Sequence, residues 1–364
     1  MTKIAIAVLG TRGYPSFYGG FETAVRHIVE DAKSTNFIYY VFSRRQNCDP
    51  NPEKLNAQVI YTPNLNSKRF STLSHIFFSI PKLMSLRPDV VLAFNVSCGY
   101  ILPFTKLMGI PVILNVDGLE WKRAKWGRFG KLAFLLGAKL CARYAEVLVA
   151  DSTNIAQYWK VRFGRDSIFI PYGGTPSAID NWEHSQKRDY LLYVARFVPE
   201  NHFEEFLASL EYLDPSIPVI IGGTSNGNPL YDELLQSAVA SRANVQTIGS
   251  VKDDAYLSRL WAEAGIYFHG HSVGGTNPAL VQAMASGSPI VAYDSVYNRE
   301  VLADAGIYST AVPSEMGLLF NELMLDLESR KKLSLNAIRR ANDFYTWSAV
   351  IDAYENAIKA ILAN

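Results

Sequence analysis

Cysteine is scarce in this sequence. Cys48, Cys98 and Cys141 are three in 364 residues, odd in number, far apart and in no metal-ligand spacing. This excludes a disulfide framework and a cysteine metal site, leaving reduced thiols in a cytoplasmic protein. Long apolar runs are lacking too. The longest uncharged stretch of interest, VVLAFNVSCGYILPFT at 90–105, is broken by Asn, Ser, Gly and Pro, so it does not read as a membrane span. The opening MTKIAIAVLGTRG has no small-residue cleavage site and reads as a first buried strand rather than a leader. Short repeats and low-complexity segments are missing as well, and 49% apolar against 19% charged residues excludes disorder.

Net charge is nearly absent at +1, but the balance conceals a division. Residues 1–178 carry 22 Lys and Arg against 11 Asp and Glu, a net +11. Residues 179–364 carry 13 against 23, a net −10. A basic first half fits an acidic partner, whether nucleic acid, an anionic membrane or a phosphorylated substrate, or else unevenly distributed surface charge. No recognised nucleic-acid reading motif organises the basic residues, which argues against DNA or RNA.

Two series of short, β-branched apolar runs alternate with helical patterns. KIAIAVLG, FIYYVFS, AQVIYTP, DVVLAFN, PVILNVD and EVLVADS form the first; DYLLYVARF, IPVIIGG, NVQTIGSV, AGIYFHG and SPIVAYD form the second. Runs of this kind are buried parallel strands. The expected fold class is therefore α/β, with two doubly wound, Rossmann-like domains: residues 1–178, joined by a closing helix at about 345–364, and residues 179–344. Ligands of such sheets bind at the carboxyl ends of the strands, so a cleft lined by both is expected.

Three stretches carry chemistry. In GTRGYPSFYGGFETAV, Gly19 and Gly20 precede an amphipathic helix, where backbone N–H groups can approach a phosphate. The glycine spacing is not that of the dinucleotide fingerprint, which argues against a dehydrogenase. In YVARFVPENHFEEFL, Arg196 follows a strand, where a guanidinium can clamp a diphosphate or simply meet solvent. In HSVGGTNPALVQAM, Thr276 and Asn277 are capping residues and Pro278 suits a first helical turn. The N–H groups of Asn277, Ala279 and Leu280 can receive phosphate oxygens without any cationic side chain.

These stretches, with NVDGLEWKRAKWG, ADSTNIAQYW and the continuation to YDSVYNREVL, resemble in order and spacing the family 4 glycosyltransferases. Those enzymes are retaining, depend on nucleotide sugars and have the GT-B fold. The similarity is greatest to the bacterial branch resembling rhamnosyltransferases of capsule and cell-wall polysaccharide assembly. It extends over essentially the whole chain, and implies acceptor binding in the first domain, nucleotide-sugar binding mainly in the second, and a last helix crossing back to the first.

Carried over residue by residue, the resemblance places Gly19, Gly20, Arg196 and Asn201 at the donor diphosphate, Asn201 standing where many relatives have lysine. It places Gly274, Gly275, Thr276, Asn277, Pro278, Ala279 and Gln282 around the donor. Gly274 and Gln282 stand where the family usually has two glutamates, the second on the ribose. Glu300 is a further candidate for the nucleotide, or else a helix-start residue. Asp117, ending a first-domain strand, is the expected catalytic residue beside Arg196. Glu120, Arg123, Lys125 and Trp126 follow as acceptor contacts, with Trp121 and Trp126 stacking on a sugar or packing. Retention by departure of a diphosphate that itself takes the acceptor proton needs electrostatic stabilisation rather than a strong base. Neither metal nor cofactor is expected.

In GRFGKLAFLLGAKLCARYA, Arg128, Lys131, Lys139 and Arg143 form one helical stripe, the wet face of a buried helix or a contact with anionic lipid. The resulting expectation is a cytoplasmic protein, peripheral at the inner face of the membrane, transferring rhamnose from dTDP-rhamnose to a lipid-linked saccharide. The alternatives are another UDP- or GDP-hexose, and a catalytically weak sugar-binding or nucleotide-binding subunit.

Overall fold

The computed structural model describes residues 3–16, 19–48, 56–65, 71–123, 126–176, 189–251 and 253–363. The chain forms two units, Met1–Tyr172 with Trp347–Asn364, and Gly173–Thr346. The division expected near residue 178 falls in 177–188, outside the described residues.

The first unit holds a seven-stranded parallel sheet of order β3-β2-β1-β4-β5-β6-β7. Its strands are β1 (Ile4–Leu9), β2 (Phe37–Ser43), β3 (Gln58–Tyr61), β4 (Val90–Phe94), β5 (Val112–Asn115), β6 (Val147–Ala150) and β7 (Ile168–Phe169). All five residues of β4 are buried, as a central strand covered on both faces requires. Helix Gly20–Glu30 turns Ala24, Val25, Ile28 and Val29 inward, the i, i+1, i+4, i+5 stripe of a surface helix.

The closing helix, Trp347–Leu362, belongs to this unit. Trp347, Val350, Ile351, Tyr354 and Ile358 join one core cluster with Ile6, Val8, Val90 and Leu92. Each such side chain contributes about 1.5–3 kcal/mol on burial. Polar contacts fix the register: the buried Glu355 accepts the Lys33 and Ser34 N–H groups, each at 2.8 Å, and Trp347 stacks on His27 with centroids 4.0 Å apart.

The second unit holds a six-stranded parallel sheet of order β10-β9-β8-β11-β12-β13. Its strands are β8 (Leu191–Arg196), β9 (Val219–Thr224), β10 (Val245–Gly249), β11 (Ile266–His269), β12 (Ile290–Tyr293) and β13 (Ile307–Ser309). One face packs on Phe203, Phe206, Met316 and Phe320, the other on Leu280, Val281, Met284 and Leu302. In each sheet the strand order reverses once, between β1 and β4 and between β8 and β11. Such switch points open a crevice at the carboxyl ends of the two strands.

The uncharged stretch at 90–105 is β4, a 3-10 turn at Val96–Tyr100 and the short helix Leu102–Leu107. Among the described residues no helix is long and apolar enough to cross a membrane.

Candidate active site

At the first switch point the chain leaves β1 through Gly10 and re-enters a helix through Gly19, both at positive φ. A Cβ on Gly19 would run into the Glu22 carboxylate. Glu22 stands in the first helical turn, and its Oε1 accepts the Arg12 N–H at 2.7 Å. The helix mouth expected to meet a diphosphate through Gly19 and Gly20 thus already has an anion of its own. A carboxylate there satisfies the helix end and competes with any phosphate.

On the β4 side, Asn95 and Asp117 both take positive φ, 74° and 60°, a conformation that Asn and Asp tolerate better than other non-glycine residues. Asn95 Nδ2 donates to Asp117 Oδ2 at 3.0 Å, and the Asp117 N–H donates to Asn115 Oδ1 at 3.0 Å. Asn115 Nδ2 in turn donates to the buried Tyr354 hydroxyl at 2.9 Å. Burial raises the Asp117 carboxyl above its ordinary range, while the Arg123 charge opposes the shift. Asn95 had no motif to announce it; its side chain is what orients Asp117.

The expected acceptor contacts are brought together but bonded to one another. Glu120 is buried, pairs through Oε1 with Arg123 Nε at 2.8 Å and accepts Trp126 Nε1 through Oε2 at 2.8 Å. Arg123 is therefore neutralised in place rather than standing open to an acceptor phosphate. Trp121 packs against Tyr158, Trp159 and Phe163, and Trp126 lies against Phe134. Lys125 lies outside the described residues.

At the second switch point Arg196 ends β8 with its side chain exposed, and no carboxylate among the described residues forms an ion pair with it. Asn201, by contrast, is buried and braces the loop. Its Nδ2 donates to the Arg196 carbonyl at 2.7 Å, and its Oδ1 meets His271 Nδ1 at 2.6 Å. That side chain joins the ends of β8 and β11. His202 meets the Gly270 carbonyl through Nδ1 at 2.6 Å, and Asn298 Nδ2 donates to the His271 and Tyr293 carbonyls at 2.8 Å. Neither His271 nor Asn298 was legible as a site residue, since a polar brace has no spacing rule.

The loop from Gly274, at positive φ, through Gly275 and the buried Thr276 leads into helix Pro278–Ala285. Asn277 caps it, Oδ1 accepting the Ala279 N–H at 2.9 Å. The Ala279 donor is thus occupied, which leaves Asn277 and Leu280 as the N–H groups for an anion. Gln282 Oε1 accepts the Thr175 N–H at 2.9 Å, and Nε2 donates to the Thr175 carbonyl at 2.8 Å and to Ser258 Oγ at 3.2 Å. Its amide is engaged with the Thr175 backbone and the Ser258 hydroxyl. Glu300 lies inside helix Val296–Leu302, whose cap is Ser295, so it is not a helix-start residue; its carbonyl accepts Arg340 Nη2 at 2.8 Å.

Comparison with known proteins gives the architecture its name. Sucrose-phosphate synthase from Thermosynechococcus elongatus superposes with a TM-score of 0.81 at 16% identity, over 99% of this chain and 100% of that one. HepE from Anabaena, solved with UDP, gives 0.74 at 15% identity over 99% and 100%. WaaG, a glycosyltransferase of lipopolysaccharide biosynthesis, gives 0.75 at 14% over 96% and 99%. No curated protein matched the sequence. Residues 3–175 match a domain of unknown function, DUF1972, and residues 175–340 match glycosyl transferases group 1. The chain therefore has the GT-B fold, with a DUF1972 domain over residues 3–175 and a group 1 glycosyl transferase domain over residues 175–340.

Proposed function

We propose that the chain transfers a hexose, rhamnose from dTDP-rhamnose, with retention to a lipid-linked saccharide at the cytoplasmic face of the cell membrane, in assembly of a bacterial surface polysaccharide. The observation that carries the donor reading is Arg196, an exposed guanidinium without a carboxylate partner at the carboxyl end of β8. The strand beside it, β11, leads into the Asn277-capped helix mouth. A cation and a helix end at one switch point suit a diphosphate. As that diphosphate departs, both stabilise its growing charge, and no strong protein base is required.

Asp117 is the polar group of the first domain assigned to the acceptor and the transferred sugar. Asn95 and the Asn115–Tyr354 pair hold it in its uncommon backbone conformation. Glu120, Arg123 and Trp126 form the adjoining wall, and Lys125 is retained as an acceptor contact from the sequence alone.

The lipid surface is supported by the outward face of helix Arg128–Tyr144. Phe129 is 91% exposed, with Leu132 and Leu136 one and two turns on, flanked by exposed Arg128, Lys139 and Arg143. Apolar anchors between basic residues are the pattern of a helix lying on anionic lipid.

A second reading, a uridine-linked hexose, is favoured by HepE, solved with UDP and with UDP-glucose. GDP-hexose transfer and a catalytically weak subunit complete the alternatives. Thermal-shift titration with dTDP, UDP and GDP separates them. Stabilisation by one nucleotide, lost in Arg196→Ala, is the expected result and names the base. A flat response to all three would overturn the transferase donor reading in favour of the weak subunit.

A further inference from the structure

Helix Ser71–Leu86 begins beside Arg44, the residue that follows β2. Arg44 is 5% exposed. Its Nη1 donates to Ser71 Oγ at 2.7 Å and its Nη2 to Thr72 Oγ1 at 3.2 Å, while Nε is buried without a partner. No described carboxylate forms an ion pair with it. Glu22 acts on it only from a distance, and burial, with the neighbouring Arg12, pushes the guanidinium down to about 10. The Arg12 carbonyl accepts the Arg44 N–H at 2.9 Å, and the Arg12 side chain is exposed. One turn along the helix His75 is fully buried, its Nε2 also without a partner.

A buried cation is costly unless an anion accompanies it. Here the buried Arg44 guanidinium meets the start of a 16-residue helix, whereas at the neighbouring helix mouth Glu22 already supplies the negative charge. Ser71 and Thr72 are partly exposed. Because their oxygens accept from Arg44, each hydroxyl keeps its own hydrogen to donate.

We propose that Ser71, Thr72 and the first-turn N–H groups of helix Ser71–Leu86, backed by Arg44 and with Arg12 adding charge, bind a phosphate group of a substrate. The proposal depends on the transferase reading only for which substrate carries the phosphate: the acceptor or the nucleotide donor.

The test is calorimetric titration of the full chain with inorganic phosphate and, separately, with UDP, dTDP and GDP. It compares wild type with Ser71→Ala/Thr72→Ala, a change at partly exposed positions whose folding is checked by thermal unfolding, since Arg44 variants risk misfolding. Saturable phosphate binding, weakened about tenfold or more in the double variant, is expected. If nucleotide affinity is unchanged in that variant, the phosphate is the acceptor's; if it falls in parallel, the phosphate is the donor's. Absence of saturable phosphate binding to wild type, or equal binding by the double variant, would overturn the site. Phosphate binding without any nucleotide binding would instead sink the donor reading and leave this one standing.

Discussion

The side-chain amide of Gln282 reads both backbone groups of Thr175, accepting its N–H and donating to its carbonyl. A glutamate at this place could accept but not donate, and would set a carboxylate against the Thr175 carbonyl. Gln282→Glu is therefore expected to lower stability by about 1 kcal/mol, the net worth of one partly exposed hydrogen bond. The denaturant midpoint measures it. An unchanged or raised midpoint would show that the clamp contributes nothing.

Arg196 is expected to bear on ligand rather than on fold. Arg196→Ala should weaken nucleotide diphosphate binding about tenfold to a hundredfold, the worth of charge-assisted hydrogen bonds to phosphate. Its melting temperature should stay near that of wild type, because the side chain is exposed. Calorimetry and a melting curve on the same sample decide it. Loss of stability with unchanged affinity would reassign Arg196 to a structural role.

Asp117→Asn preserves a residue type that tolerates positive φ and can still accept from Asn95. The fold should survive while kcat falls about 10²-fold, as when one preorganised electrostatic group is removed. Turnover of a nucleotide sugar at saturating donor, with circular dichroism as control, tests this. Wild-type kcat would remove Asp117 from the chemistry.

Acid should destabilise the second domain through His269. Burial pushes this side chain down to about 3, and it meets the Tyr267 hydroxyl at 3.0 Å through Nδ1. The folded state keeps it neutral while the unfolded chain protonates it near the ordinary value of about 6.5. Its contribution is thus present above about pH 6.5 and is lost as pH falls toward 3, by about 1.4 kcal/mol per pH unit. Urea midpoints between pH 7 and pH 5 should fall less steeply in His269→Gln. A parallel pair of curves would clear His269 of the effect.

The proposed lipid contact rests on Phe129 and Leu132, which are exposed and so replaceable without disturbing the core. Phe129→Asp/Leu132→Asp should abolish sedimentation with vesicles of phosphatidylglycerol and leave nucleotide binding intact. Wild-type protein that stays in the supernatant at low salt would dismiss lipid as partner.

The sequence made the long central strands and the closing helix legible because each has a strong apolar period. It missed β7 and β13, which have two and three residues; an edge strand of that length shows no alternation. At the site, Arg196, the Asn277 cap and Asp117 could be read from their places after strands. What Asn201, Gln282 and Arg123 touch could not. Each is held by a partner far along the chain or by a local ion pair, and residue type alone does not say whether a polar side chain faces a ligand or braces a loop. Glu22 illustrates the same limit: its position in a first turn was visible, but its closeness to Gly19 follows only from the backbone path.

The packing of Trp347–Leu362 into the core of the first unit sets an order of events during synthesis. Residues up to Tyr172 leave the ribosome with one flank of their sheet uncovered, and the covering helix is made only after the whole second unit. At roughly 5–20 residues per second, the wait is on the order of tens of seconds. The second unit, continuous in sequence, is free to fold first. The first domain, though its synthesis begins earlier, cannot be completed until that last helix is made.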